Sequence, residues 1–70
     1  MKYTVLLEKG PKSWGATVPD LPGCVAVANS EDEALTLIRE AIELHIATLK
    51  DAGKEIPSPV SIASSVEVAA

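Results

Sequence analysis

The sequence has one cysteine, one histidine and no phenylalanine. A single cysteine, Cys24, excludes a disulfide within the chain. One Cys and one His (Cys24, His45) cannot furnish the four ligands of a structural zinc site. Two of the staples that small domains commonly use are therefore absent, and self-association is the third. No apolar run approaches the ~20 residues needed to span a bilayer. The apolar part of residues 1–8 is too short for a signal peptide. These absences predict a cytoplasmic protein with no membrane contact, no metal and no cofactor.

Basic residues are also scarce. Six Lys and Arg stand against ten Asp and Glu, for a net charge of −4. An acidic chain is repelled by phosphates and attracted to basic surfaces. Direct DNA binding is disfavoured, and a basic protein partner is allowed. With 47% apolar residues the composition is that of a globular chain. Seventy residues make one domain, 1–70, and a domain near this size buries only roughly 60% of the surface its unfolded form exposes.

Tyr3-Thr4-Val5-Leu6-Leu7 is β-prone, with Tyr3, Val5 and Leu7 on one face of a strand. Gly10-Pro11-Lys12-Ser13 is turn chemistry. Trp14, Ala16 and Val18 form the apolar face of a second strand, which completes a hairpin. Pro19-Asp20-Leu21-Pro22-Gly23 contains two residues without an N–H and cannot continue a ladder. Residues 24–28 are a third short strand, with Val25 and Val27 on one face.

Ser30-Glu31-Asp32-Glu33 has the form of a capping box, a serine followed three residues later by a glutamate. A helix is expected from there to about Ala52, ended by Gly53. Ala34, Leu37, Ile38, Ala41, Ile42, His45, Leu49 and Ala52 form its apolar stripe. After Ile56-Pro57-Ser58-Pro59, residues 60–68 again alternate. The expected order is β-β-β-α-β: an α+β four-stranded mixed sheet with one helix packed on one face. The last strand lies beside the first, reached by a crossover. Thr4, Leu6, Thr17, Ala26 and Ser65 are expected on the outer face. None of these is charged, so the face suits either plain solvent exposure or a subunit or partner contact.

Four pieces in order resemble the HicB-like antitoxin family: Pro19-Asp20-Leu21-Pro22-Gly23-Cys24, Ser30-Glu31-Asp32-Glu33-Ala34, Glu40-Ala41-Ile42-Glu43-Leu44-His45, and the segment from Gly53 to Pro59. The resemblance implies a truncated RNase H-like domain and a non-enzymatic role in a toxin–antitoxin system. Members of the family bind and block HicA-type toxins, small basic ribonucleases that cleave mRNA. Many also carry a C-terminal DNA-binding module. The residues after Gly53 are needed for the fourth strand, so this chain is expected to be a short, stand-alone form that does not bind DNA directly. The alternative is an orphan oligomeric domain, dimer or tetramer, that binds another protein or a small ligand and has no toxin.

The candidate partner-binding residues are Trp14, Asp20, Leu21 and Pro22. Asp20 suits a contact with a basic toxin surface, or a turn in which its carboxylate accepts backbone N–H groups. Trp14 suits a binding hot spot or, in a chain without Phe, a core-capping role. His45 is the one usual general base, but its place in the apolar stripe favours a buried, hydrogen-bonded ring. Cys24 reads as a small packed hydrophobe. Glu31, Asp32 and Glu33 serve the helix start, while Glu40 and Glu43 lie on its solvated side. The first strand lacks the central acid that RNase H metal chemistry would require, so no catalytic residue is assigned.

Overall fold

The computed structural model describes residues 1–69. Three short antiparallel strands, β1 (Leu6–Lys9), β2 (Trp14–Thr17) and β3 (Val25–Ala28), form a sheet in sequence order, followed by the helix α1 (Glu31–Asp51). Leu7, Ala16 and Ala26 stand opposite one another across the sheet. They face the helix, and Ala16 is buried. Val18, Leu21, Cys24, Ala28, Ala34 and Ile38 complete the buried core.

The link between β2 and β3 is a double turn. Leu21 N–H donates to Val18 C=O (3.1 Å), and Cys24 N–H donates to Leu21 C=O (3.0 Å). Pro19 and Pro22 are each the second residue of one turn, where their fixed φ fits. Gly23, at φ 85°, is the third residue of the second turn, a conformation that L side chains resist. Val18 N–H to Cys24 C=O (3.3 Å) closes the loop. The two turns fold Leu21 inward to complete burial. A rigid loop thus contributes to the core.

At the helix start, Glu33 N–H donates to Ser30 Oγ (3.2 Å). The return bond of the expected capping box, from the Glu33 side chain to the Ser30 N–H, does not form among the described residues, so half of the box is made. Glu31, Asp32 and Glu33 still occupy the positive end of the helix dipole. Replacing Ser30 with Ala is expected to cost about 1 kcal/mol. Urea denaturation followed by circular dichroism would measure it, and no change in midpoint would show the cap to be dispensable.

The helix ends as its glycine predicts. Gly53 adopts φ 68°. Lys54 N–H reaches Leu49 C=O (2.9 Å) and Gly53 N–H reaches Lys50 C=O (3.0 Å), the paired bonds of a Schellman motif.

The fourth strand is not present among the described residues: residues 54–69 have no sheet partner. The reason is visible at the root of the segment. Ser61 N–H donates to Asp20 Oδ2 (3.0 Å), and Ser61 C=O accepts from Thr4 Oγ1 (2.6 Å). Side chains thus occupy both main-chain groups that a ladder would need at that position. Tyr3 Oη donates to Pro57 C=O (2.6 Å), and Pro57 and Pro59 have no N–H to offer. The first strand is also displaced, beginning at Leu6 rather than Tyr3. Leu6 pairs with Thr17, so earlier pairing would have to run through Val18, which bonds within the loop, and Pro19, which has no N–H.

The sheet is short for its helix. Strands of four residues span roughly 13 Å. A helix of 21 residues spans roughly 31 Å. Full burial is therefore confined to Ala34 and Ile38 in the first half of α1. The second half overhangs: Leu44 is exposed, and Ile42, His45, Ile46 and Leu49 are half-buried.

Candidate functional site

The face of the sheet away from α1 carries Leu6, Thr17 and Val25 in one cross-strand row and Glu8, Gly15 and Val27 in the next. Leu6, Val25 and Val27 are exposed. An outer sheet face left to water usually carries alternating polar residues; this one has three large aliphatic side chains and a single charge, Glu8. Ala26, expected on this face, lies on the other, paired with buried Ala16. The exposed positions of β3 are those of the larger Val25 and Val27.

The loop residues separate into distinct roles. Leu21, expected at a partner surface, is 0% exposed, because the double turn points it into the core. Pro22 is exposed at the tip of the second turn, and Asp20 is half-buried. Asp20 does not serve the turns, whose acceptors are main-chain carbonyls. Its two carboxylate oxygens accept from Ser61 N–H (3.0 Å) and Ser61 Oγ (2.8 Å). It latches the chain that follows the helix onto the β2–β3 loop. The residues lie 41 positions apart, and neither carries a local pattern that announces the pair.

Trp14 is half-buried against the core. Lys9, its cross-strand partner, places Nζ 5.8 Å from the ring centroid, within reach of a cation–π contact. His45 is not the buried, hydrogen-bonded residue expected. It is half-buried at the rim of a shallow groove beside Gly23, Cys24 and Leu44, because the helix has already begun to leave the sheet there.

Burial pushes the Cys24 thiol above its usual range, since an apolar surround disfavours the thiolate. Its reaction with a thiol reagent is expected to be slow in the native protein and to accelerate at least tenfold in urea. Equal rates in the two states would mean that the folded core does not shield the thiol.

No group of three or more His, Cys, Asp or Glu among the described residues is arranged to hold a metal ion. No helix among them is long and apolar enough to cross a membrane.

A short sheet with one helix on its inner side, and an aliphatic, nearly uncharged outer side, defines a small α+β domain. The family of HicB-like antitoxins of bacterial toxin–antitoxin systems matches residues 3–69. A UPF0150 protein of Thermoplasma acidophilum is 41% identical, over 81% of this chain and 84% of the relative. A UPF0150 protein of Helicobacter pylori is 42% identical, over 71% of this chain and 69% of the relative. An uncharacterised 14.9 kDa protein of Haemophilus phage HP1 is 33% identical over 81% of this chain, which spans only 43% of that longer protein. No solved structure matches. The chain belongs to the HicB-like antitoxin family.

Proposed function

We propose that this protein is a non-catalytic, cytoplasmic antitoxin that neutralises a HicA-type mRNA-cleaving ribonuclease by direct contact. The observation that carries the reading is the outer sheet face, where Leu6, Val25 and Val27 lie exposed on a HicB-like domain. Such a face gains by being covered. Pro22, exposed at the tip of the loop, extends the contact, whereas Trp14, in the row of Ala28 on the helix side of the sheet, packs against the core. Asp20 acts indirectly, by fixing the segment around Ser61. The net charge of −4 favours encounter with a basic toxin and opposes direct binding to DNA.

The test is co-expression with a HicA-type toxin encoded beside the gene. The antitoxin is expected to restore growth and to co-purify with the toxin. Val27→Asp, which places a charge on the outer face, is expected to abolish both while leaving the thermal unfolding midpoint within a few degrees. Failure of the unaltered chain to bind or rescue would remove the toxin reading.

The second reading is an orphan homo-oligomeric HicB-like domain, dimer or tetramer, serving another protein or a small ligand. The unpaired apolar segment after Ser61 favours self-association on either reading.

A further inference from the structure

Residues 62–69 form an arm without a sheet to join. Ile62, Val66 and Val68, which share one face of an extended chain, are 89%, 81% and 76% exposed. The arm leaves the domain immediately after its anchored root, where Ser61 is held by Asp20 and Thr4. The molecule is 48 Å long but only 26 by 17 Å across. Its radius of gyration is 13.7 Å, against about 11 Å for a compact chain of this length.

The same chain contains an empty counterpart to the arm. A groove of about 470 Å³ lies between the residues leading into β1 and the helix, along both of its halves. Tyr3 and Val5 form one wall, and Leu35, Ile38, Ile42 and Ile46 form the other, with the charged Arg39, Glu43 and Lys50 also lining it. Among the described residues β1 has β2 on one side only, so its other edge presents unpaired main-chain groups, immediately following the Tyr3 and Val5 that line the groove. The sheet thus has an open edge for a strand, and the groove that leads into it carries a row of aliphatic side chains from the helix. The arm is a strand-like segment with a row of aliphatic side chains. Eight extended residues reach roughly 26 Å, enough to pass along the whole of β1.

We propose that residues 62–69 of one copy dock in the groove beside β1 of a second copy, in a reciprocal exchange of arms. The arm would add its main chain to the free β1 edge and lay Ile62, Val66 and Val68 against the helix. Within one chain the root prevents this closure, because both main-chain groups of Ser61 are held by side chains as the arm turns away. Exchange between copies satisfies the edge, fills the groove and covers the arm together. The inference rests on self-association and is independent of any toxin.

The full chain, measured by light scattering on a sizing column, is expected at a multiple of 7.3 kDa. Val66→Asp, and separately a chain ended after Ser61, are expected to reduce the mass to one chain with helical circular dichroism retained. Two arms of a crosslinking experiment then locate the contact. Chains carrying Val66→Cys are mixed with chains carrying Leu35→Cys or Ile46→Cys and oxidised. A covalent dimer joining the two kinds of chain is the expected product. Crosslinking only within a chain that carries both substitutions, or no crosslink in either arrangement, would overturn the exchange. A monomeric full chain would sink exchange and self-association together. An oligomer unchanged by Val66→Asp would overturn exchange alone and leave association through another surface.

Discussion

Replacing Leu21 with Ala is expected to cost about 2–5 kcal/mol, the range for truncating a fully buried leucine. That is comparable to the entire stability of a domain this small, since one core below about 80 residues rarely supplies more than roughly 3–5 kcal/mol. Leu21 is one of the two largest side chains that are fully buried, the other being Ile38. It sits on a loop, where substitution would ordinarily be tolerated. The double turn removes that tolerance, because Val18 and Cys24 are hydrogen-bonded around it and both are buried. The variant should be largely unfolded at 37 °C, with loss of helical circular dichroism. A shift in urea midpoint worth under 1 kcal/mol would show that the loop lies on the core without belonging to it.

Replacing Asp20 with Ala is expected to release the segment around Ser61 while leaving the sheet and helix folded. Two hydrogen bonds to a carboxylate are lost. Each is worth roughly 1.5–3 kcal/mol in a buried setting, and partial exposure brings the expected net cost of the pair to about 1–2 kcal/mol. Tyr3 and Thr4 still hold Pro57 and Ser61 through their carbonyls, so the effect should remain local. The Ser61 amide is the reporter: its hydrogen exchange should rise at least tenfold, with the amides of α1 little changed. Asp20→Asn keeps one carbonyl oxygen and can donate to Ser61 Oγ, so its effect should be smaller. The combination Asp20→Ala with Ser61→Ala should destabilise by less than the sum of the two single changes. Additive costs would mean that the two residues act separately.

What could be read in the sequence was what is decided locally. Gly10-Pro11 marks the hairpin, Ser30 the helix start and Gly53 its end, because each signal and its hydrogen-bond partner lie within a few residues. The family resemblance rests on the same kind of contiguous pieces. What failed depends on partners far away in the chain. Alternation in residues 60–68 specifies a segment able to be a strand, but a strand also needs an edge to pair with, and Asp20 and Thr4 intercept Ser61 first. No spacing rule connects Asp20 to Ser61. Ala26 departs from expectation because its neighbours are larger: Val25 and Val27 would take an inner face on hydrophobicity alone, yet the narrow space under Ala34 of α1 admits Ala16, Ala26 and Ala28. His45 departs from it because periodicity reports which side of a helix is apolar and says nothing of how far the sheet beneath it extends.

The mismatch between a long helix and a short sheet also divides α1 dynamically. Its first three turns are fastened through Ala34 and Ile38 and should open only when the whole domain unfolds, whereas the turns near Thr48 have one side to water and little beneath them. Local fraying there requires no disruption of the core. A single continuous helix therefore contains a rigid half that maintains the architecture and a pliant half free to adjust to whatever settles alongside it.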